Sequence, residues 1–92
     1  MIRTIRHRGL KRLFERADGS RIDPRLLDKV QRVLTLLQAA GVPEDMNLPG
    51  FVLHPLSGDL RGFWSVRVSG NWRVIFRFED GHAWDVDLVD HH

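Results

Sequence analysis

Arg67 and Arg73 flank a Ser-Gly-Asn turn signal, and His54, Asp90, His91 and His92 supply titratable groups that could work beside them. A guanidinium presents a planar fork that matches phosphate oxygens two at a time. Imidazole gives or takes a proton near neutral pH. Cleaving an RNA phosphodiester needs a base for the 2′-OH, an acid for the leaving 5′-oxygen and cations for the crowded, negatively charged phosphorus. His, Asp and Arg suffice for this, and no metal or other cofactor is required. Each group also has a plain structural reading. Two arginines and a carboxylate can form an ion-pair ladder, His54 can be an edge-strand residue ahead of Pro55, and His82 beside a turn can simply be exposed. Asp90 with several His could hold a metal, but the close paired spacing on one helix that such sites use is missing.

Alternation is what positions the arginines. In residues 63–78, Trp64, Val66 and Val68 share one face with Trp72, Val74, Phe76 and Phe78. Ser65, Arg67, Arg73, Ile75 and Arg77 fall on the other, because successive strand side chains point to opposite sides. A two-residue loop at Gly70-Asn71 would pair Ser69 with Trp72 and mix the faces. A three-residue loop, Ser69-Gly70-Asn71, pairs Val68 with Trp72, Val66 with Val74 and Trp64 with Phe76, and so is expected. It also sets Arg67 opposite Arg73, which is unfavourable unless an anion or a carboxylate offsets the like charges. A further strand, with Trp84, Val86 and Leu88 alternating against Ala83, Asp85 and Asp87, follows a turn that ends at Gly81. Parity again favours a three-residue turn, pairing Phe76 with Trp84, Val74 with Val86 and Arg73 with Asp87. The open face then carries a middle row of Arg67, Arg73 and Asp87, with Arg77 in a neighbouring row.

The rest of the chain must cover the apolar face. Residues 2–6 read as a short strand. In residues 9–17 the period changes: Leu10, Leu13, Phe14 and Ala17 recur at helical spacing, and Asp18-Gly19-Ser20 stops the helix with Gly19 in the left-handed conformation. Asp23 caps a second helix with Pro24 at its first position. Its apolar stripe runs through Leu26, Leu27, Val30, Val33, Leu34 and Leu37 to Ala40. Residues 41–50 form a loop, 51–56 a strand and 57–62 another loop. The expected fold is α+β with the order β-α-α-β-β-β-β: two N-terminal helices packed on one face of a mainly antiparallel sheet, in a single domain over residues 1–92.

Composition narrows the function classes. Cysteine is absent, which excludes a disulfide framework and thiolate chemistry. No apolar run suits a signal peptide or a membrane span, so a cytoplasmic protein without membrane association is expected. The net charge of +2 is unevenly spread. Residues 1–32 carry ten Lys or Arg against four Asp or Glu, and residues 33–92 carry four against eight. Such asymmetry suits an acidic or nucleic-acid partner for the first third, although a solvated helix surface looks the same.

Leu53-His54-Pro55-Leu56, Gly58-Asp59, Gly62, Trp64-Ser65-Val66-Arg67-Val68, Asn71-Trp72-Arg73-Val74, Phe76 and Val89-Asp90-His91-His92 together resemble the HigB-type branch of the RelE/ParE toxin–antitoxin superfamily. Gly9-Leu10 and Leu13-Phe14 add to the likeness, which covers nearly the whole chain. The resemblance implies a RelE-like toxin that acts as a ribosome-dependent mRNA endonuclease, inhibits translation and is neutralised by a HigA-type helix-turn-helix antitoxin. His54, Arg73, Asp90 and His92 match functional positions of that family. Where relatives often have Lys, this chain has Ser57, which removes a phosphate contact. Where they often have Tyr, it has His91, a weaker stacking ring. The expected catalytic set is therefore His54, Arg73, Asp90, His91 and His92, with Arg67, Arg77 and Ser57 contacting RNA. Lys11, Arg12, Arg16, Arg25, Lys29 and Arg32 on the helices would dock on ribosomal RNA, because the open face has few aromatics with which to hold RNA unaided. The alternatives are a ParE-like inhibitor of DNA gyrase without nuclease activity, and a binding module whose nuclease activity has been lost.

Overall fold

The computed structural model describes residues 1–90; the candidate residues His91 and His92 lie outside the described residues. Helix α1 (Arg8–Arg16) starts at a cap that alternation cannot show: His7 Nδ1 accepts from the Leu10 N–H at 3.1 Å. It ends at Ala17 (φ 54°), not at Gly19, and the Ala17 N–H bonds the carbonyls of Arg12 and Leu13. Gly19 has a different use. A Cβ there would lie 2.7 Å from Leu27 Cδ1, so glycine lets the α1–α2 connection close onto the next helix. Helix α2 (Pro24–Ala39) opens as expected, with the Asp23 carboxylate accepting from the Arg25 N–H. Leu26, Val30, Val33, Leu34 and Leu37 are buried along one side. Phe14 was expected beside them but is 37% exposed, at the rim of a groove between the two helices.

The sheet is antiparallel in the order β1 (His54–Pro55), β2 (Trp64–Ser69), β3 (Trp72–Glu79) and β4 (His82–Asp90). The expected strand at residues 2–6 is reduced to two isolated parallel bridges, Ile2 with Ala83 and Ile5 with Val86, along the outer edge of β4. The expected strand at 51–56 shrinks to His54–Pro55. Its first part leaves the ladder because Val52 takes a positive φ of 50° after Gly50 at 86°. The Phe51 carbonyl still accepts from the Arg67 N–H, and Phe51 itself is fully buried.

Both predicted hairpin loops need correction, for one physical reason. Across β2 and β3, Arg67 pairs with Arg73 as expected, with Val66–Val74 and Trp64–Phe76 beside it. The turn, however, is the two-residue Gly70-Asn71, with Ser69 opposite Trp72, and a bulge between Arg67 and Ser69 absorbs the extra residue. Across β3 and β4, Glu79 pairs with His82 over the two-residue turn Asp80-Gly81, where φ is 54° and 78°. Positive φ at both central residues is what an Asp-Gly hairpin turn supplies. A second bulge, at Asp85 (φ 54°), restores the apolar face, so that Val74 meets Leu88. A bulge inserts one residue and so reverses the parity of those that follow, which leaves Trp84 and Val86 on opposite faces of the sheet.

Helices and sheet enclose one core, in which Phe51, Phe76, Leu10, Leu37 and Met46 are fully buried. Ser65 and Ile75 are also buried, yet they stand on the opposite side of the sheet from that cluster. The open face is therefore covered at its centre and available at its two ends.

Candidate active site

The second bulge redistributes the chemistry. Asp87 was expected opposite Arg73 but stands opposite Ile75; Arg73 faces Val89 instead. The row Arg67–Arg73–Asp87 does not form. Arg73 Nη1 donates to the carbonyls of Gly70 (2.7 Å) and Trp72 (3.1 Å). Among the described residues, neither Arg67 nor Arg73 forms an ion pair. Two guanidiniums thus face each other across the hairpin, one pinned by neutral carbonyls, and among the described residues neither is paired with a carboxylate. His54 pairs with Ser65, on the same face and two residues along β2 from Arg67, about 7 Å away at strand rise. It is exposed. Ser57 is exposed ahead of a 3-10 turn (Gly58–Leu60) and makes no capping bond with its side chain.

Asp90 is placed differently. It pairs with Trp72, on the helix side of the sheet, and lines a cleft with Asp23, Arg25, Gly70 and Asn71 at the start of α2. The structure therefore brings His54, Arg67 and Arg73 to one face and sets Asp90 behind that end of the sheet. The terminal imidazoles that would join them follow directly on Asp90.

The basic residues of the helices divide among three places. Lys11, Arg12 and Arg16 gather with Arg8 and Glu15 on α1, joined by Arg21 from the connection to α2. Arg12 is drawn towards Asp18, whose carboxyl falls from 3.8 to about 2, chiefly through hydrogen bonds from Ser20 and then Arg12. Arg25 is paired with Asp23 at 2.7 Å. Lys29 and Arg32 bracket Phe51, with their charged ends 5.7 and 5.5 Å from its ring. Lys29 Nζ also donates to the Gly50 carbonyl, and burial, followed by the nearby charges of Arg67 and Arg32, lowers its pKa. Sequence reading missed that Phe51 gathers Lys29 and Arg32 beside Arg67 at the β2 edge. No spacing signals it, since the four come from α2, a loop and a strand.

Arg77, expected to contact RNA, donates to Asp85 (2.8 Å) and Glu79 (2.8 Å). Arg6 reaches the same Asp85 oxygen at 3.6 Å. Trp84, expected on the core face opposite Phe76, lies opposite Arg77 on the open face, 5.6 Å beneath its guanidinium. Among the described residues there is no group of three or more His, Asp or Glu that could hold a metal ion, and no helix is long and apolar enough to cross a membrane.

Comparison with solved structures gives the fold class. A chain of the YoeB–YefM complex from Staphylococcus aureus superposes with a TM-score of 0.63 over 100% of this chain and 99% of that one, at 12% identity, so the fold is that of a RelE-like toxin. The family description "RelE-like toxin of type II toxin-antitoxin system HigB" matches residues 3–92, and the chain belongs to that HigB-like toxin family. It is 36% identical over 92 residues to Endoribonuclease HigB of Proteus vulgaris, covering 100% of both chains. It is also 32% identical over 84 residues to Toxin HigB-1 of Vibrio cholerae, covering 89% of this chain and 88% of that one. As a toxin of a toxin–antitoxin system, its partner is an antitoxin.

Proposed function

We propose that this chain is a metal-independent endoribonuclease that cuts mRNA on the ribosome in the cytoplasm, inhibits translation, and is neutralised by a HigA-type helix-turn-helix antitoxin. The observation that carries this is the Arg67–Arg73 pair, two like charges held opposite each other without an ion pair among the described residues. An anion between them relieves the repulsion, and a phosphate is the anion that two guanidinium forks fit. His54 stands on the same face, and Asp90, His91 and His92 complete the proposed acid–base set. Arg73 acts on the charge that builds at phosphorus, where a positioned donor changes rate more than binding. The relative named as an endoribonuclease, alike over its full length, favours this over gyrase inhibition.

Lys29, Arg32 and Arg67 form one continuous basic edge that would follow the RNA backbone from helix to sheet. Lys11, Arg12 and Arg16 offer a second contact for ribosomal RNA. The test is primer extension on mRNA with programmed ribosomes, repeated with a chelator while ribosome integrity is controlled. New 3′ ends within the ribosome-bound codons, undiminished by the chelator, are expected. Intact mRNA accompanied by DNA damage in expressing cells would turn the assignment to the gyrase reading. Activity restored by zinc or manganese, but not by magnesium alone, would overturn metal independence.

A further inference from the structure

The far end of the open face carries a second arginine pair built on another plan. Arg77 and Arg6 converge on one oxygen of Asp85, at 2.8 and 3.6 Å. Each guanidinium also lies over an aromatic ring, Arg77 over Trp84 and Arg6 over Phe63, both at 5.6 Å. The geometry around Asp85 is fixed from the backbone outwards. Its φ of 54° marks the bulge, its N–H donates to the Thr4 hydroxyl at 2.7 Å, and that hydroxyl lies 3.3 Å from its carboxylate. Glu79 accepts from Arg77 on the other side. Arg6 and Arg77 are thereby balanced by Asp85 and Glu79, so neither guanidinium has spare charge for a phosphate. The two planar groups remain partly open, with side-chain exposures of 56% for Arg6 and 34% for Arg77. Neither Phe63 nor Trp84 belongs to the core cluster, so these rings are not there to fill the interior.

We propose that Arg77 on Trp84, with Arg6 on Phe63, is a stacking seat for unpaired bases of the RNA strand whose phosphate lies between Arg67 and Arg73. Unstacked bases are held on aromatic rings and on guanidinium planes, and that contact needs no net charge. Arg77 is four residues from Arg73 on the same face of β3, about 13 Å at strand rise. That is the span of about four stacked nucleotides, and of fewer in an extended strand. The seat would therefore grip the message a few nucleotides from the cut. It rests on the RNA-cleaving reading for its ligand, and it supplies aromatic contacts that the sequence pattern denies to this face.

The test measures binding and cleavage separately. Labelled toxin is titrated against ribosomes programmed with messages in which single nucleotides flanking the cut are abasic. Wild type should bind at least about five-fold more weakly when the seated base is missing, while the cleavage rate at saturation stays the same. Trp84→Leu should show that weakening on the intact message and no further loss on the abasic one. Trp84→Phe should restore most of the affinity, and neither change should alter the salt dependence. Equal penalties for wild type and Trp84→Leu at every position would overturn the seat. So would a Trp84→Leu defect confined to antitoxin binding, which would make this a protein-docking surface. Wild type that binds with the abasic penalty but never cuts would support the seat and overturn the cleavage assignment instead.

Discussion

Arg73 and Arg77 occupy one strand and one face, yet their surroundings give them opposite characters. Arg73 donates to two neutral carbonyls, Gly70 and Trp72, and faces another cation, Arg67. Arg77 donates to two carboxylates and lies on an indole. Carbonyls orient a guanidinium without cancelling its charge. Carboxylates cancel the charge and leave a planar surface. Two arginines that look alike in the sequence thus become an anion site and a stacking surface, and the bulge at Asp85 makes the difference by moving carboxylate and ring to the Arg77 end.

The sharpest way to break the comparison is Arg73→Ala. Ribosome-dependent cleavage, measured in single turnover, should fall by about two to three orders of magnitude. Circular dichroism and antitoxin pull-down should stay nearly unchanged, because Arg73 forms no ion pair among the described residues. Arg73→Lys should recover only part of the rate, since an ammonium cannot make the two-pronged contact. Wild-type cleavage by Arg73→Ala would end the anion-site assignment. Arg77→Ala should behave differently, lowering the midpoint of thermal unfolding more than the saturating cleavage rate, because Asp85 loses its nearest partner.

Salt dependence separates the two ends further. Arg67→Gln should make the slope of log K against log salt shallower by about 1 for binding to programmed ribosomes, whatever the message. Asp85→Asn should do the reverse and steepen it, because it releases charge from Arg6 and Arg77. The same substitution should cost only about 1 kcal/mol of stability, the upper scale for partly exposed ion pairs. A smaller effect concerns pH. The Arg77 hydrogen bond, then the charges of Arg6 and Arg77 and the Thr4 hydroxyl, outweigh partial burial and lower the Asp85 pKa below 3.8. A lowered carboxyl stabilises the fold fully above its unfolded pKa, and the contribution fades as pH falls through the folded one. Unfolding midpoints should therefore hold steady above about pH 5 and drop below about pH 4. Asp85→Asn should show a smaller drop.

What could be read in advance follows from what alternation reports. It identifies faces, and so it found Arg67 opposite Arg73 and the two helical stripes that cover Val66, Val74 and Phe76. It cannot find a bulge, because a bulge breaks the strict alternation that the reading assumes. Adding a residue to each loop was the only way to keep parity without one, although Gly70-Asn71 and Asp80-Gly81 were signalling two-residue turns. On the β2 side the error was harmless. On the β4 side it moved Asp87 away from Arg73 and turned Trp84 to the other face. The edge at residues 51–56 was overread as a strand because its apolar run conceals the left-handed Val52. The likeness to HigB-type toxins supplied the family and fold but not these placements.

The parallel bridges from Ile2 to Ala83 and from Ile5 to Val86 have a consequence for the timing of toxicity. During synthesis Ile2 and Ile5 must wait for Ala83 and Val86 before this contact can close, and closing so long a loop is slow. β4 carries Asp85 and Trp84 and flanks Arg73, so neither end of the open face is complete until then. Until β4 has emerged and paired, a nascent chain therefore lacks a finished working surface.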